Sequence, residues 1–429
     1  MPPKNSSQPE SRSAPENSSQ PENSPVPESS PASEKEPSAT SLELRFGRVL
    51  DGARDVCANA LPLCFSDESG IFIMDTGELP YSSDEVLSLD FSSGVAETLA
   101  RREGLIAESL LLGGRYVCSF GKGSETGVVY ETEPGILSDK AEAYVCLAVT
   151  DLGSGETSFA DVGNERELAG IMTGFWGEIT VLPNDRTFAV GMSYGQVERA
   201  VSVFDINTLS RRDIVTASFD PNTRSGREFL PHTLGDKLWL LAREKTDGSA
   251  GASWRVESFD LDGNAHGVSL ISSGDYRLGY PREFAVTADG DWLIVSDWSN
   301  AAFFELRDGE YHLVRRLYES TTRDGYPVSI LSPRCCGCEN ASDRPRLVYL
   351  LGARSRLSAD NPTVLHIFDP ASGELYSVPL PNGRLTTTAI SCGGDVLVTT
   401  APNVEYKTPL DGVYFLSHES IAEAITAAR

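Results

Sequence analysis

The sequence lacks any apolar run approaching the roughly 18 to 20 residues that a membrane-crossing helix needs. Its opening, MPPKNSSQPE, carries one Lys with no apolar stretch behind it, so no signal peptide is legible there. Basic charge is scarce: 36 Lys and Arg stand against 62 Asp and Glu, a formal charge of −26 over 429 residues. Nucleic-acid binders and proteins adsorbed to anionic lipid need clustered Lys and Arg, so neither class is expected. Cationic ligands, metal ions or basic protein surfaces suit this charge, and so does plain solubility. GKGSETG, residues 121 to 127, lacks the Gly-x4-Gly-Lys spacing of a phosphate-binding loop. Almost no helix is expected.

Aromatic residues are missing altogether from residues 1 to 40, where Pro-Glu recurs at 9–10, 15–16, 21–22 and 27–28. A segment so poor in apolar side chains cannot offset the entropy of ordering it, so a disordered tail is expected. Three basic and six acidic side chains in this tail leave −23 on the remainder. Proline would hold the tail extended as a spacer. In composition it resembles the Ser/Pro-rich tethers of bacterial lipoproteins and surface proteins. That resemblance implies an extracytoplasmic or cell-surface protein whose leader has been removed; the alternative is a cytoplasmic protein with a floppy N-terminus.

The remainder repeats one phrase. REFAVTADGDWLIVSDWSNAAFFELRDGEYHLVRRL, residues 282 to 317, reads as strand, Asp-Gly turn, strand, loop, strand, Asp-Gly turn, strand. Related turns begin near 91, 151, 205, 260, 307 and 369, a spacing of about 46 to 62 residues, each preceded by an apolar hairpin. One small sheet cannot bury both faces until neighbours pack on it, so the expected fold is all-β: a single seven-bladed β-propeller. The blades fall near 53–100, 105–160, 175–220, 227–272, 282–320, 327–380 and 385–418. SLELRFGRVL, 41 to 50, is a spare strand suited to closing the ring. Residues 419–429 are a short helix or a frayed end.

TADGDWLIVSDWSNAAFFEL and FDPASGELYSV resemble the bacterial YVTN and NHL-type β-propellers, over nearly the whole chain after residue 50. The resemblance implies architecture and not activity, because the fold hosts binders, scaffolds and hydrolases.

Aligned on their first turn, the repeats place Glu178, Glu228 and Glu283 where the innermost strand begins, with Glu108 one position off. Arg227 and Arg282 precede two of them, and Trp176 and His232 are neighbours in sequence. Converging carboxylates raise one another's pKa unless a cation sits among them, and a divalent cation such as calcium suits oxygen ligands. The same residues serve equally well as Glu–Arg pairs that stabilise strand entry. GMSYG, residues 191 to 195, matches G-x-S-x-G around Ser193, but it joins strand to strand rather than strand to helix, so a turn is expected. DLDGN, 260 to 264, lacks the later Glu of a calcium loop.

RCCGCEN, residues 334 to 340, puts Cys335, Cys336 and Cys338 within four positions. A structural zinc needs four ligands, and no second pair or His stands nearby. Cys392 occupies the matching turn of the last repeat. Cys118 and Cys146 fall on adjacent strands, and Cys57 and Cys64 flank the first strand of the first repeat. Eight cysteines partitioned this way suggest disulfides in an oxidising compartment, with inert thiols or a metal or redox centre as alternatives. Two functions are compatible with these residues. One is a non-catalytic module, a monomer, that holds a protein partner or small ligand. The alternative is a metal-dependent hydrolase of lactonase or phosphoesterase kind that uses the channel carboxylates.

Overall fold

The computed structural model describes residues 39–49, 60–75, 83–103, 106–124, 131–133, 136–137, 143–164, 179–181, 187–194, 198–220, 225–234, 237–245, 253–260, 262–272, 281, 283–296, 300–318, 328–331, 333–334, 346–352, 363–381, 384–401 and 412–429. All of them belong to the unit Pro37–Arg429; residues 1–38 of the expected tail lie outside the described residues, while Thr40, counted in that tail, stands in a strand.

The chain enters through two short strands, β1 (Thr40–Ser41) and β2 (Gly47–Val49). Up-and-down antiparallel meanders follow. The first comprises β3 (Ala60–Phe65), β4 (Ser69–Asp75), β5 (Ser83–Asp90) and β6 (Ala96–Glu103). The second uses β7 (Ile106–Leu112) and β8 (Tyr116–Ser124), then a small hairpin of β9 (Glu131–Glu133) and β10 (Ile136–Leu137), then β11 (Ala143–Asp151) and β12 (Thr157–Asn164). The third is β13 (Ile179–Val181), β14 (Thr187–Tyr194), β15 (Glu198–Asp205) and β16 (Arg211–Asp220). The fourth is β17 (Ser225–Leu234), β18 (Lys237–Lys245), β19 (Ser253–Asp260) and β20 (Ala265–Ile271).

The fifth meander is β21 (Glu283–Val286), β22 (Trp292–Ser296), β23 (Asn300–Arg307) and β24 (Glu310–Tyr318). The sixth starts with β25 (Val328–Leu331), detours through β26 (Pro333–Arg334), and continues as β27 (Val348–Gly352), β28 (Val364–Asp369) and β29 (Glu374–Pro379). The last has β30 (Arg384–Ser391), β31 (Val396–Ala401) and β32 (Gly412–Leu416) from the C-terminal end of the chain. Its fourth strand comes from the other end: β2 pairs antiparallel with β32, Arg48 opposite Tyr414. β1 adds in parallel outside β29, Thr40 opposite Tyr376.

First strands touch one another in cyclic order: β3 with β7, then β13, β17, β21, β25, β30 and back to β3. The core is therefore a circle of seams. Leu63, Val86 and Ala100 pack on Leu111 and Val117; Leu241 and Val256 pack on Phe284, Leu293 and Val295. Trp292, Ile294 and Phe303 pack on Leu350, Phe368 and Leu375. Where a meander is covered on both faces a middle strand can be apolar throughout, and all five residues of β22, WLIVS, are buried. At the rim the pattern relaxes, and most of β20 is exposed.

A helix, α1 (His418–Ala428), follows β32. Ser417 caps it by accepting from the Ser420 amide, and Ile421 and Ile425 enter the seam holding Leu42, Ile390 and Val398. Arg429 then pairs with Asp369 in the β28–β29 turn.

One turn recurs. The Asp90, Asp151, Asp205 and Asp369 carbonyls each accept from the amide four residues on, of Gly94, Gly155, Leu209 and Gly373, at 2.7 to 2.9 Å. That fifth residue adopts positive φ in every case, 69° at Gly373 and 54° at Leu209. Glycine suits the position because it has no Cβ; Leu209 occupies it regardless.

Candidate functional site

Glu178, Glu228 and Glu283 were expected where the first strands of their repeats begin, with Glu108 one position off. Glu283 does stand first on β21, opposite Ser296 of β22. Its Oε2 accepts from the Ile330 amide at 2.6 Å and from the Ser296 hydroxyl at 3.4 Å. Ile330 lies on β25, so this carboxylate bridges the first strands of neighbouring meanders.

Arg227, near the start of β17, is engaged within its own meander. One guanidinium nitrogen donates to Glu257 Oε2, while Arg255 Nε donates to Glu257 Oε1 at 2.5 Å. Arg255 also pairs with Glu244 at 2.9 Å. Glu257 is only 5% exposed, and two cations compensate its buried charge. Arg227 Nε is buried without a hydrogen-bond partner.

Glu228 and Glu108 can be placed by backbone only: Glu228 opposite Arg243 and Glu108 opposite Phe120. Their side chains, together with Trp176, Glu178 and Arg282 entirely, lie outside the described residues. The His232 ring stacks at 5.5 Å from Phe284, a packing contact on the seam between the fourth and fifth meanders. Ser193 was expected in a turn; it lies instead within β14, opposite Arg199 of β15, because the strand runs on to Tyr194. Among the described residues no group of three or more His, Cys, Asp or Glu is placed to hold a metal ion, and no helix is long and apolar enough to cross a membrane.

Cysteine placement requires a correction. Cys118 was grouped with Cys146 as a disulfide candidate, yet it keeps a reduced thiol and is fully buried. The β8–β11 register explains this: Cys118 faces Val149, while Cys146 faces Gly121 three residues further along. That separation exceeds the span of a disulfide. Cys64 and Cys392 are disulfide-bonded. Cys57, Cys335, Cys336 and Cys338, and the side chain of Cys146, lie outside the described residues.

The recurrent turns concentrate negative charge. Hydrogen bonds from Ser92 and then Ser93 hold the Asp90 carboxyl down at about 2. Arg115 and then the Gly153 amide do the same for Asp151, also about 2, and Asn264 leads the lowering at Asp260. These aspartates stay ionised at any ordinary pH while they satisfy turn amides. Glu257 escaped the sequence reading. Its signal was an acidic residue inside the apolar strand SWRVESFD, with Arg255 two positions earlier on the same face.

The sequence matches no known protein family and no curated protein. Similar solved structures include a prolyl endopeptidase, at 14% identity and TM-score 0.46 over 80% of this chain; the chain spans 46% of that protein's length. A protein from Bacteroides fragilis described as a candidate 6-phosphogluconolactonase matches at 15% identity and TM-score 0.44, covering 82% of this chain and 99% of its own. The β-propeller domain of the trilobed protease from Pyrococcus furiosus matches at 11% identity and TM-score 0.44, covering 80% and 90%. Neighbours therefore include β-propeller proteins, but these likenesses are too distant to carry function.

Proposed function

We propose that the chain is a seven-bladed β-propeller that serves as a non-catalytic binding module for a cationic protein partner or small ligand. The observation that carries this reading is the engagement of Glu283 and Arg227 by the scaffold, through the Ile330 amide and Glu257. A carboxylate occupied by a backbone N–H of the next strand is a strut; it is poorly placed to activate water or to share a metal ion. The repeat phrase, the cyclic order of first strands and the supply of the last outer strand by β2 support the blade count. The charge of −26 favours partners with exposed Lys and Arg.

On this reading the segment ahead of β1 forms a spacer that holds an exported, monomeric propeller away from an envelope, and loops on the rigid frame supply specificity. The test is a hydrolysis panel of lactones and phosphoesters with calcium or manganese, run on the wild type and Glu283→Gln. No metal-dependent turnover is expected from either. Turnover in the wild type that Glu283→Gln abolishes would overturn the reading in favour of the hydrolase.

A further inference from the structure

Residues 39–49 and α1 both bridge the sixth meander and the last. β1 lies along β29 of the sixth, where the Leu42 amide also donates to the Ser377 carbonyl at 2.9 Å, and β2 lies along β32 of the last. Between them Leu42, Leu44 and Phe46 alternate with exposed Glu43 and Arg45, so one side of this stretch packs into the seam between the two meanders. α1 spans the same pair. Its start is held by the last meander, because the His418 amide donates to Asp395 Oδ1 in the β30–β31 turn at 2.9 Å. Just past its far end Arg429 reaches the sixth, donating to Asp369 Oδ2 and, at 3.1 Å, to the Ser372 hydroxyl. Ile421 and Ile425, one turn apart, enter the apolar cluster that holds Leu42, and Ala424 packs against it.

We propose that residues 39–49 and α1 form a single latch, which opens and closes as a unit and ties the sixth meander to the last. Neither half is well held by itself. β1 has two residues and β2 three. The 11-residue helix falls short of the roughly 12 to 15 residues at which an isolated helix becomes even marginal in water. The apolar cluster is shared, so undocking α1 strips cover from Leu42, and peeling away residues 39–49 strips it from Ile421 and Ile425. Coupling of this kind is reciprocal. A unit with so few anchors opens well below the free energy of global unfolding. Opening uncovers apolar surface on both meanders that the closed latch hides, Tyr376 and Val378 in the sixth and Val398 and Leu416 in the last.

The test is hydrogen exchange read by mass spectrometry on the full chain, comparing the wild type with Ile425→Asp and Leu42→Asp. Ile425→Asp is expected to speed exchange by about fivefold or more in residues 40–49 as well as in 418–428, while β18 of the fourth meander keeps its protection. Leu42→Asp is expected to loosen the same two segments. Faster exchange in α1 with residues 40–49 as protected as in the wild type would overturn the latch, and so would equal loosening of β18. If both aspartate variants fail to fold, Arg429→Ala decides the matter, since it cuts only the half-exposed anchor on Asp369. Joint loosening of both segments is expected there too; loosening of α1 alone, or of neither, overturns the proposal. No readout involves a ligand, so failure here is distinct from failure of the binding function.

Discussion

Glu283 Oε2 accepts a hydrogen bond from the Ile330 amide across the junction between β21 and β25. A carboxylate at the start of one meander thus satisfies the backbone of the next, 47 residues away in the chain. Hydrogen bonds to a charged acceptor contribute about 1.5 to 3 kcal/mol. Glu283→Ala is therefore expected to lower stability by about 2 kcal/mol, read as a shifted denaturant midpoint at constant m. A variant as stable as the wild type would show that the bond is incidental.

Glu257 poses the opposite problem, a buried anion between two guanidinium groups. Removing one partner from a buried ion pair typically costs about 3 to 5 kcal/mol, because the remaining charge stays desolvated. Glu257→Ala should approach that loss. Replacing Glu257 with Leu and both Arg227 and Arg255 with Met should recover much of it. If the single variant costs under about 1 kcal/mol by equilibrium unfolding, the network is more hydrated than its burial implies.

Leu209 stands at φ 54°, where the equivalent turns carry Gly94, Gly155 and Gly373. The left-handed region costs a non-glycine residue about 1 kcal/mol. Leu209→Gly is expected to raise stability by roughly that amount. Gly373→Ala should do the reverse, since its new Cβ would also meet Trp292 Cζ2 at 3.3 Å. Thermal midpoints of the two variants, moving in opposite directions, check this pair.

Acid should unfold the protein through its turns. Asp90 and Asp151 are lowered from 3.8 to about 2 on folding. A depressed carboxylate contributes stability that is fully present above the unfolded value and lost as pH falls from about 3.8 towards 2. Melting temperature should hold through neutral pH and drop below pH 4. The double variant Asp90→Asn, Asp151→Asn should show a shallower drop over that window; an identical profile would assign the acid transition to other carboxylates.

The repeat architecture was legible because each meander writes its own turns. FDPASGELYSV and TADGDWLIVSDW specify strand, turn and strand locally, and the buried run of β22 follows from a sheet covered on both faces. Chemistry at the strand entrances was legible only halfway. The position of Glu283 on its strand could be read, but its acceptor role could not, because the Ile330 amide arrives from another repeat. For Arg227 a Glu–Arg pair could be read as an alternative, but its partner could not: Glu257 stands on β19, with β18 between the two strands. Cys118 and Cys146 show the limit most simply. Neighbouring strands were foreseen, but a three-residue offset in register separates the two sulfur-bearing residues.

The central claim is that the entrance carboxylates brace the scaffold and do not bind a metal ion. Diffraction from a crystal soaked in calcium tests it directly. The account predicts Glu283 still bonded to the Ile330 amide, with no cation density beside it. A calcium ion held by Glu283 together with Glu228 or Glu178 would contradict it and return the metal-dependent hydrolase to first place.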